Sequence, residues 1–207
     1  MQQFLKRVID IFFSFSLLVL LSPVLIFIAL IIKLDGPGPV FFRQERAGLE
    51  GQTFKIFKFR TMVVGAEKKG AGVFVEEKDP RITRVGKLLR HTSLDELPQL
   101  INILKGEMSL VGPRPTLPYQ VENYDERQMK RLEVKPGVTG WAQVNGRSAL
   151  TWPERIELDL WYLDNWSLWL DLKIILLTFK VIISKSNLYK PDGYDPISGQ
   201  KPKSDDS

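Results

Sequence analysis

The sequence predicts a mainly helical α+β fold in three parts: a long apolar helix at the N-terminus, a small β-hairpin or sheet element, and amphipathic helices suited to an interface. Three observations predict it. Residues 11–32 hold no charged side chain, Phe54 to Arg60 mixes apolar and basic residues in alternation, and residues 152–169 contain four of the five tryptophans. With 207 residues and no segment repeating at a fixed period, the chain has room for one domain and an appendage.

The run from Ile11 to Ile32 is long enough for a helix to cross a hydrocarbon core of about 30 Å. It is too long for the apolar part of a cleaved signal, and no small-residue cleavage site follows it, so a retained anchor over residues 1–34 is expected. Pro23 interrupts the run near its midpoint. Proline has no N–H for the Val19 carbonyl and its ring crowds that carbonyl, so the helix must bend, and the Ser22 hydroxyl is placed to satisfy part of what the bend frees. Lys6 and Arg7 precede the run; Lys33, Arg43 and Arg46 follow it. A straight span with a cytosolic main domain puts Lys6 and Arg7 outside, against the positive-inside tendency, whereas a bent helix entering and leaving by one face keeps every flank in the cytosol. On the residues alone both arrangements stay open.

Asp35-Gly36-Pro37-Gly38-Pro39 closes the anchor, and the polar domain, residues 35–189, begins at Val40-Phe41-Phe42. Phe54-Lys55-Ile56-Phe57-Lys58-Phe59-Arg60 reads as a half-buried strand at period two, its three cations expected on one face, either simply solvated or binding an anion. Residues 65–79, rich in Gly, Lys and Glu, read as a mobile loop and a candidate lid. Arg81, Arg84, Lys87, Arg90 and His91 then carry positive charge up to Asp95, with His91 more naturally a polar helix-end residue than a base.

Asp95 and Glu96 are adjacent carboxylates at a predicted helix start. Ser93 and Asp95 are both capping residue types, Pro98 is tolerated in a first turn, and Lys105-Gly106 makes a stop. Starting the helix at Asp95 puts Pro98 at its third position; capping by Ser93 instead pairs Ser93 with Glu96 in a capping box and leaves Pro98 a turn deeper. Either way the helix dipole is expected to favour the ionised carboxylates, which can bind a hard cation or attack an electrophile. The plainer alternative is that Asp95 only caps the helix and Glu96 is a solvated acid. A Pro113-Arg114-Pro115 turn follows about five helical turns later.

From Trp152 to Trp169, Tyr162 stands among the tryptophans, interleaved with Leu158, Leu160, Leu163 and Leu168, and Leu170 follows. Trp and Tyr favour the headgroup level of a bilayer, so this segment and the apolar helix from Leu168 to Ile183 are expected along a membrane surface, the competing reading being a core helix of a soluble domain. Residues 190–207, rich in Pro, Gly, Asp, Ser and Lys, are expected to form a flexible tail.

The net charge of +5 and pI near 9.3 point to an anionic partner without choosing among nucleic acid, a phosphorylated metabolite and an acidic lipid surface. Without cysteine the chain has no disulfide, thiolate nucleophile or thiolate metal site, and its one histidine, His91, excludes a multi-histidine zinc site within one subunit. Any metal must take oxygen ligands.

Four ordered blocks now come together: Lys58-Phe59-Arg60-Thr61-Met62; Thr92-Ser93-Leu94-Asp95-Glu96-Leu97-Pro98-Gln99-Leu100; Val111-Gly112-Pro113-Arg114-Pro115; and Pro136 through Gly140-Trp141-Ala142-Gln143-Val144-Asn145-Gly146-Arg147. With Ser22-Pro23 they resemble the bacterial sugar transferases called monotopic phosphoglycosyl transferases, over nearly the whole chain up to about Lys190, and in particular the small, PglC-like form. The resemblance implies an N-terminal helix that re-enters the membrane at a break at Ser22-Pro23, with a catalytic domain on the cytoplasmic face of the bacterial inner membrane. It implies transfer of a sugar phosphate from a UDP-sugar to undecaprenyl phosphate with release of UMP, and a requirement for Mg²⁺. Carried onto matching positions, Asp95 is the nucleophile and Glu96 its dyad partner, the two also being the candidate metal ligands, while Lys58, Arg60, Arg114 and Arg147 fall near the nucleotide or phosphate. Membrane lipids are expected partners, nucleic acid is not, and a homodimer is left open.

Two other readings compete. A membrane-bound docking module for a sugar nucleotide or lipid phosphate has no need of a nucleophile, and nonspecific nucleic-acid binding explains neither the anchor nor the carboxylates. Within the enzyme reading, direct transfer in a ternary complex stands against a covalent route.

Overall fold

The structure, a computed structural model, describes residues 1–68, 79–146 and 149–184. The apolar run forms two helices, α1 (Gln2–Leu20) and α2 (Ser22–Asp35), bent by 63° at the predicted break. Ser22 Oγ donates to the Val19 carbonyl at 2.8 Å. Neither helix alone is long and apolar enough to cross a membrane; the bent pair together satisfies length and composition. Phe12, Phe15, Leu20, Phe27 and Leu30 are exposed along its outer surface.

A hairpin follows. Strands β1 (Phe41–Ala47) and β2 (Thr53–Phe59) pair antiparallel in unbroken register, Phe41 opposite Phe59 and Ala47 opposite Thr53. Because side chains alternate strictly along such a strand, Phe54, Ile56 and Lys58 share one face, and Lys55, Phe57 and Phe59 the other. The expectation of three cations on one face is therefore corrected: Phe57 breaks the apolar–basic alternation and shifts Lys55 to the face opposite Lys58. Phe54 and Ile56 pack against Leu17 and Leu18 of α1 and against Leu100, Ile103 and Met108, while Phe59 packs against Ile28, Ile32 and Leu89. The two halves of the apolar pair thus contribute to cores on opposite faces of one hairpin.

The N-terminal end of the pair is tied to this same body. Arg7 donates to the carbonyls of Ile103 at 2.6 Å and Leu104 at 3.1 Å, Lys6 donates to the Val111 carbonyl at 3.0 Å and pairs with Asp171, and Asp10 accepts from the Leu110 amide at 3.0 Å. The basic flank read from the sequence is folded into the protein rather than left in solvent.

Helix α3 (Arg84–Thr92) lies against the end of β2 so closely that a Cβ on Gly86 would come within 2.0 Å of the Thr61 carbonyl oxygen. Ser93 then turns the chain through the left-handed region (φ 57°), a 3-10 turn spans Leu94–Glu96, and α4 (Gln99–Lys105) begins with Pro98 as its cap and stops at Gly106 (φ 88°). The predicted stop holds, but the helix start does not. Asp95 caps nothing and Ser93 makes no side-chain cap, because the left-handed Ser93 ends α3 and Pro98, which cannot donate an N–H, occupies the cap position where none is required.

Strands β3 (Ser109–Val111) and β4 (Gly137–Thr139) pair in parallel. Their contact depends on missing side chains: a Cβ on Gly137 would stand 2.1 Å from the Gly112 amide nitrogen. Between them lie α5 (Pro118–Val121) and α6 (Glu126–Met129), and after them α7 (Trp141–Val144), α8 (Trp152–Asp164) and α9 (Leu168–Ser184). The tryptophan-rich segment divides: Trp152 and Tyr162 are buried, while Trp161 and Trp169 are exposed. Along α9, Leu170 and Ile174 face the core, and Trp169, Leu172, Leu176, Phe179 and Ile183 form an exposed apolar stripe at helical spacing. Most of the candidate lid, residues 69–78, and the tail 190–207 lie outside the described residues.

Candidate active site

The hairpin, the 3-10 turn, the loop after β3 and helix α9 enclose a cavity of about 1030 Å³. Asp95, Glu96, Lys58, Arg46, Arg90 and Arg114 line one part of it; Val138, Ala142, Val181 and Ile182 line another. A single concavity therefore offers fixed positive charge, paired carboxylates and an apolar wall.

Glu96 is the electrostatic hub. Its Oε1 accepts from Lys58 Nζ at 2.8 Å and from Arg114 Nη2 at 2.8 Å, and its Oε2 meets Arg114 Nη1 at 3.5 Å. Burial by itself would raise this carboxyl, but Arg114 and Lys58 outweigh it and hold Glu96 well below the ordinary glutamate range. Asp95 behaves oppositely. Burial first, and the Glu96 charge second, push it up to about 6, against the pull of Lys58, Arg90 and Arg114. The expectation that a helix dipole favours both ionised forms is corrected: no α-helix starts at these residues, and their neighbours separate the two titrations. Among the described residues Asp95 makes no side-chain hydrogen bond or ion pair, so its oxygens face the cavity uncommitted. Two adjacent carboxyls driven apart in this way are suited to acid–base or nucleophilic chemistry.

The cations are held in distinct ways. Burial lowers Lys58, which stays committed to Glu96. Glu96 raises Arg114 further above its ordinary value. Arg60 lines the cavity, yet its guanidinium donates to the carbonyls of Ile32, Gly36 and Pro37, so it also clamps the C-terminal end of α2. Arg147 lies outside the described residues.

Sequence reasoning missed Arg46 as a site residue and took it for an anchor flank. Burial, then the Arg114 charge, lower it to about 10, and it donates to the Pro115 carbonyl at 3.3 Å. Hairpin register was the available signal, since Arg46 pairs with Phe54 and so shares a face with Lys58. Arg90 was noted only as part of a basic cluster; its Nε donates to Thr61 Oγ1 at 2.8 Å on the cavity wall.

No group of three or more His, Cys, Asp or Glu is gathered among the described residues, so an all-protein metal cage is not formed there. The Asp95–Glu96 pair does suit Mg²⁺, which takes oxygen donors and typically needs only one or two carboxylates beside water and substrate phosphates. The uncommitted oxygens of Asp95 are the donors that fit best.

The chain matches the family model described as "Bacterial sugar transferase" over residues 1–185. It is 48% identical over 182 residues to the "Uncharacterized sugar transferase EpsL" of Bacillus subtilis (strain 168), covering 87% of this chain and 89% of that protein. It is 49% identical over 191 residues to the "UDP-glucose:undecaprenyl-phosphate glucose-1-phosphate transferase" of Escherichia coli (strain K12), covering 88% of this chain and 41% of that one. Against the "Undecaprenyl-phosphate galactose phosphotransferase" of Salmonella typhimurium (strain LT2) the identity is 40% over 201 residues, 90% of this chain and 42% of the relative. The chain thus spans less than half the length of those two larger relatives. On a family match running from Met1, just ahead of α1, past the end of α9, the chain belongs to the bacterial sugar transferase family.

Proposed function

We propose that this protein is a phosphoglycosyl transferase that moves a sugar 1-phosphate from a UDP-sugar to undecaprenyl phosphate and releases UMP. The observation that carries the reading is an uncommitted Asp95, raised to about 6, beside a Glu96 neutralised by Lys58 and Arg114, in a cavity with one cationic and one apolar wall. At neutral pH Asp95 is still largely ionised, and its raised pKa makes it a better nucleophile than an ordinary carboxylate.

An Asp95 oxygen attacks the β-phosphorus of the donor. The bond from that phosphorus to the bridging oxygen breaks, UMP leaves with the oxygen, and the sugar phosphate stays on Asp95 as an acyl phosphate. A phosphate oxygen of the lipid acceptor then attacks the same phosphorus and the Asp95 carboxylate departs, giving the polyprenyl diphosphate sugar. Arg114 and Lys58 offset the charge on the transferring phosphoryl oxygens. Asp95 and Glu96 are the residues that would hold Mg²⁺, which would supply further neutralisation of phosphate charge.

In this reading the bent apolar pair enters and leaves one leaflet, the exposed stripe of α9 rests on that leaflet, and the catalytic domain is on the cytoplasmic face of the bacterial inner membrane. Attachment of both ends of the pair to the same body supports this: Arg7 at one end donates to Ile103 O, and Arg60 of the body donates to Ile32 O at the other. The test is UMP release from UDP-sugar and Mg²⁺ without lipid acceptor. A burst matching the enzyme in amount is expected, and Asp95→Asn removes it. A docking module releases none, and direct transfer in a ternary complex releases UMP only when the lipid is added.

A further inference from the structure

We infer that Arg131, braced by Asp159, is a positioning residue that sets Arg114 against Glu96. This rests on the proposed phosphoryl transfer and adds two residues to it. In Pro113-Arg114-Pro115 both prolines lack an N–H, so the turn is held largely through its carbonyls. Pro113 O accepts from Gly137 N at 2.9 Å, Pro115 O from Arg46 Nη1 at 3.3 Å, and Thr116 O from Ala47 N at 2.9 Å. The carbonyl of Arg114 itself accepts from Arg131 Nη2 at 2.8 Å.

Arg131 can do this because its other donors are fixed. Its Nε donates to Asp159 Oδ2 at 2.6 Å, its Nη1 to the Tyr124 hydroxyl at 2.6 Å, and its guanidinium carbon lies 5.4 Å from the Trp152 ring centroid. Arg131 is 4% exposed and Asp159 1%. A buried pair of this kind is poor evidence for stability but well suited to defining a single geometry. The planar fork is what meets Asp159, Tyr124 and Arg114 O together, and the single ammonium of lysine does not reproduce it. Arg131 points one arm at the backbone of Arg114 while the Arg114 side chain reaches Glu96, so Arg131 acts through Arg114.

The test is a double-mutant cycle on the UMP burst, measured in single turnover without lipid and with thermal unfolding of each variant as a check on folding. Arg131→Lys is expected to slow the burst by about 10²-fold, the scale of a small misplacement at a reacting centre. In an Arg114→Met background the same change is expected to alter the rate by less than about twofold, because the group it positions is gone. Asp159→Asn is expected to follow the same pattern with a smaller loss, and carries the test if Arg131→Lys does not fold. Losses that add in full to that of Arg114→Met, or unaltered bursts in both Arg131→Lys and Asp159→Asn, overturn the inference. An unsubstituted protein that gives no burst overturns the covalent reading instead.

Discussion

Ser22 Oγ donates a 2.8 Å hydrogen bond to the carbonyl of Val19, the carbonyl that Pro23 leaves without a helical partner. The carbonyl freed at the 63° break in the apolar pair is thus satisfied by its own neighbour, which lowers the cost of placing the bend in an apolar medium. The chain has no cysteine, so single replacements report the topology cleanly. Gln3→Cys and Lys55→Cys are expected to react with an impermeant maleimide from the same side of sealed vesicles; labelling from opposite sides excludes re-entry.

The separated titrations of Asp95 and Glu96 predict a pH profile. Attack requires ionised Asp95, so the single-turnover rate of UMP release is expected to be flat at neutral pH and to fall about tenfold per pH unit below about 6. Arg114 lowers Asp95, so Arg114→Met moves the midpoint to higher pH. A midpoint near the ordinary aspartate value of 3.8 contradicts the raised titration of Asp95.

The same shift has a sign in stability. The folded state raises Asp95 above its ordinary value, so its contribution is most favourable at pH below about 4 and is lost as pH rises through about 6. At neutral pH the ionised group weighs against the fold. Asp95→Asn is expected to stabilise the protein there by on the order of 1–3 kcal/mol while abolishing the burst, read as a higher denaturation midpoint in detergent.

Lys6 and Asp171 form a pair with side-chain exposures of 15% and 9%, and Asp171 also accepts from the Tyr162 hydroxyl at 2.6 Å. Lys6→Met strands the carboxylate and is expected to cost about 3–5 kcal/mol. Adding Asp171→Leu recovers part of the loss, because no buried charge is then left alone. Unfolding midpoints of the two variants decide the point.

What was legible in the sequence follows from how local each feature is. The break at Pro23, the strand read over residues 54–60 and the stop at Gly106 are set by residues within a turn or two of one another, and the structure has all three, the strand at Thr53–Phe59. Asp95 and Glu96 were legible as a pair, but their environment was not: the left-handed Ser93 and the cap at Pro98 depend on how α3 seats against Thr61. The parallel pairing of β3 and β4, three residues each, gives no periodic signal, and the roles of Arg46 and Arg131 arise from hairpin register and from a contact spanning 17 residues.

The most direct test of the central claim is mass spectrometry of the protein after brief mixing with UDP-sugar and Mg²⁺ without lipid acceptor. The account predicts a mass increase equal to one sugar phosphate, located on the peptide containing Asp95 and lost on addition of undecaprenyl phosphate. UMP release with no adduct, or an adduct on any other residue, contradicts it.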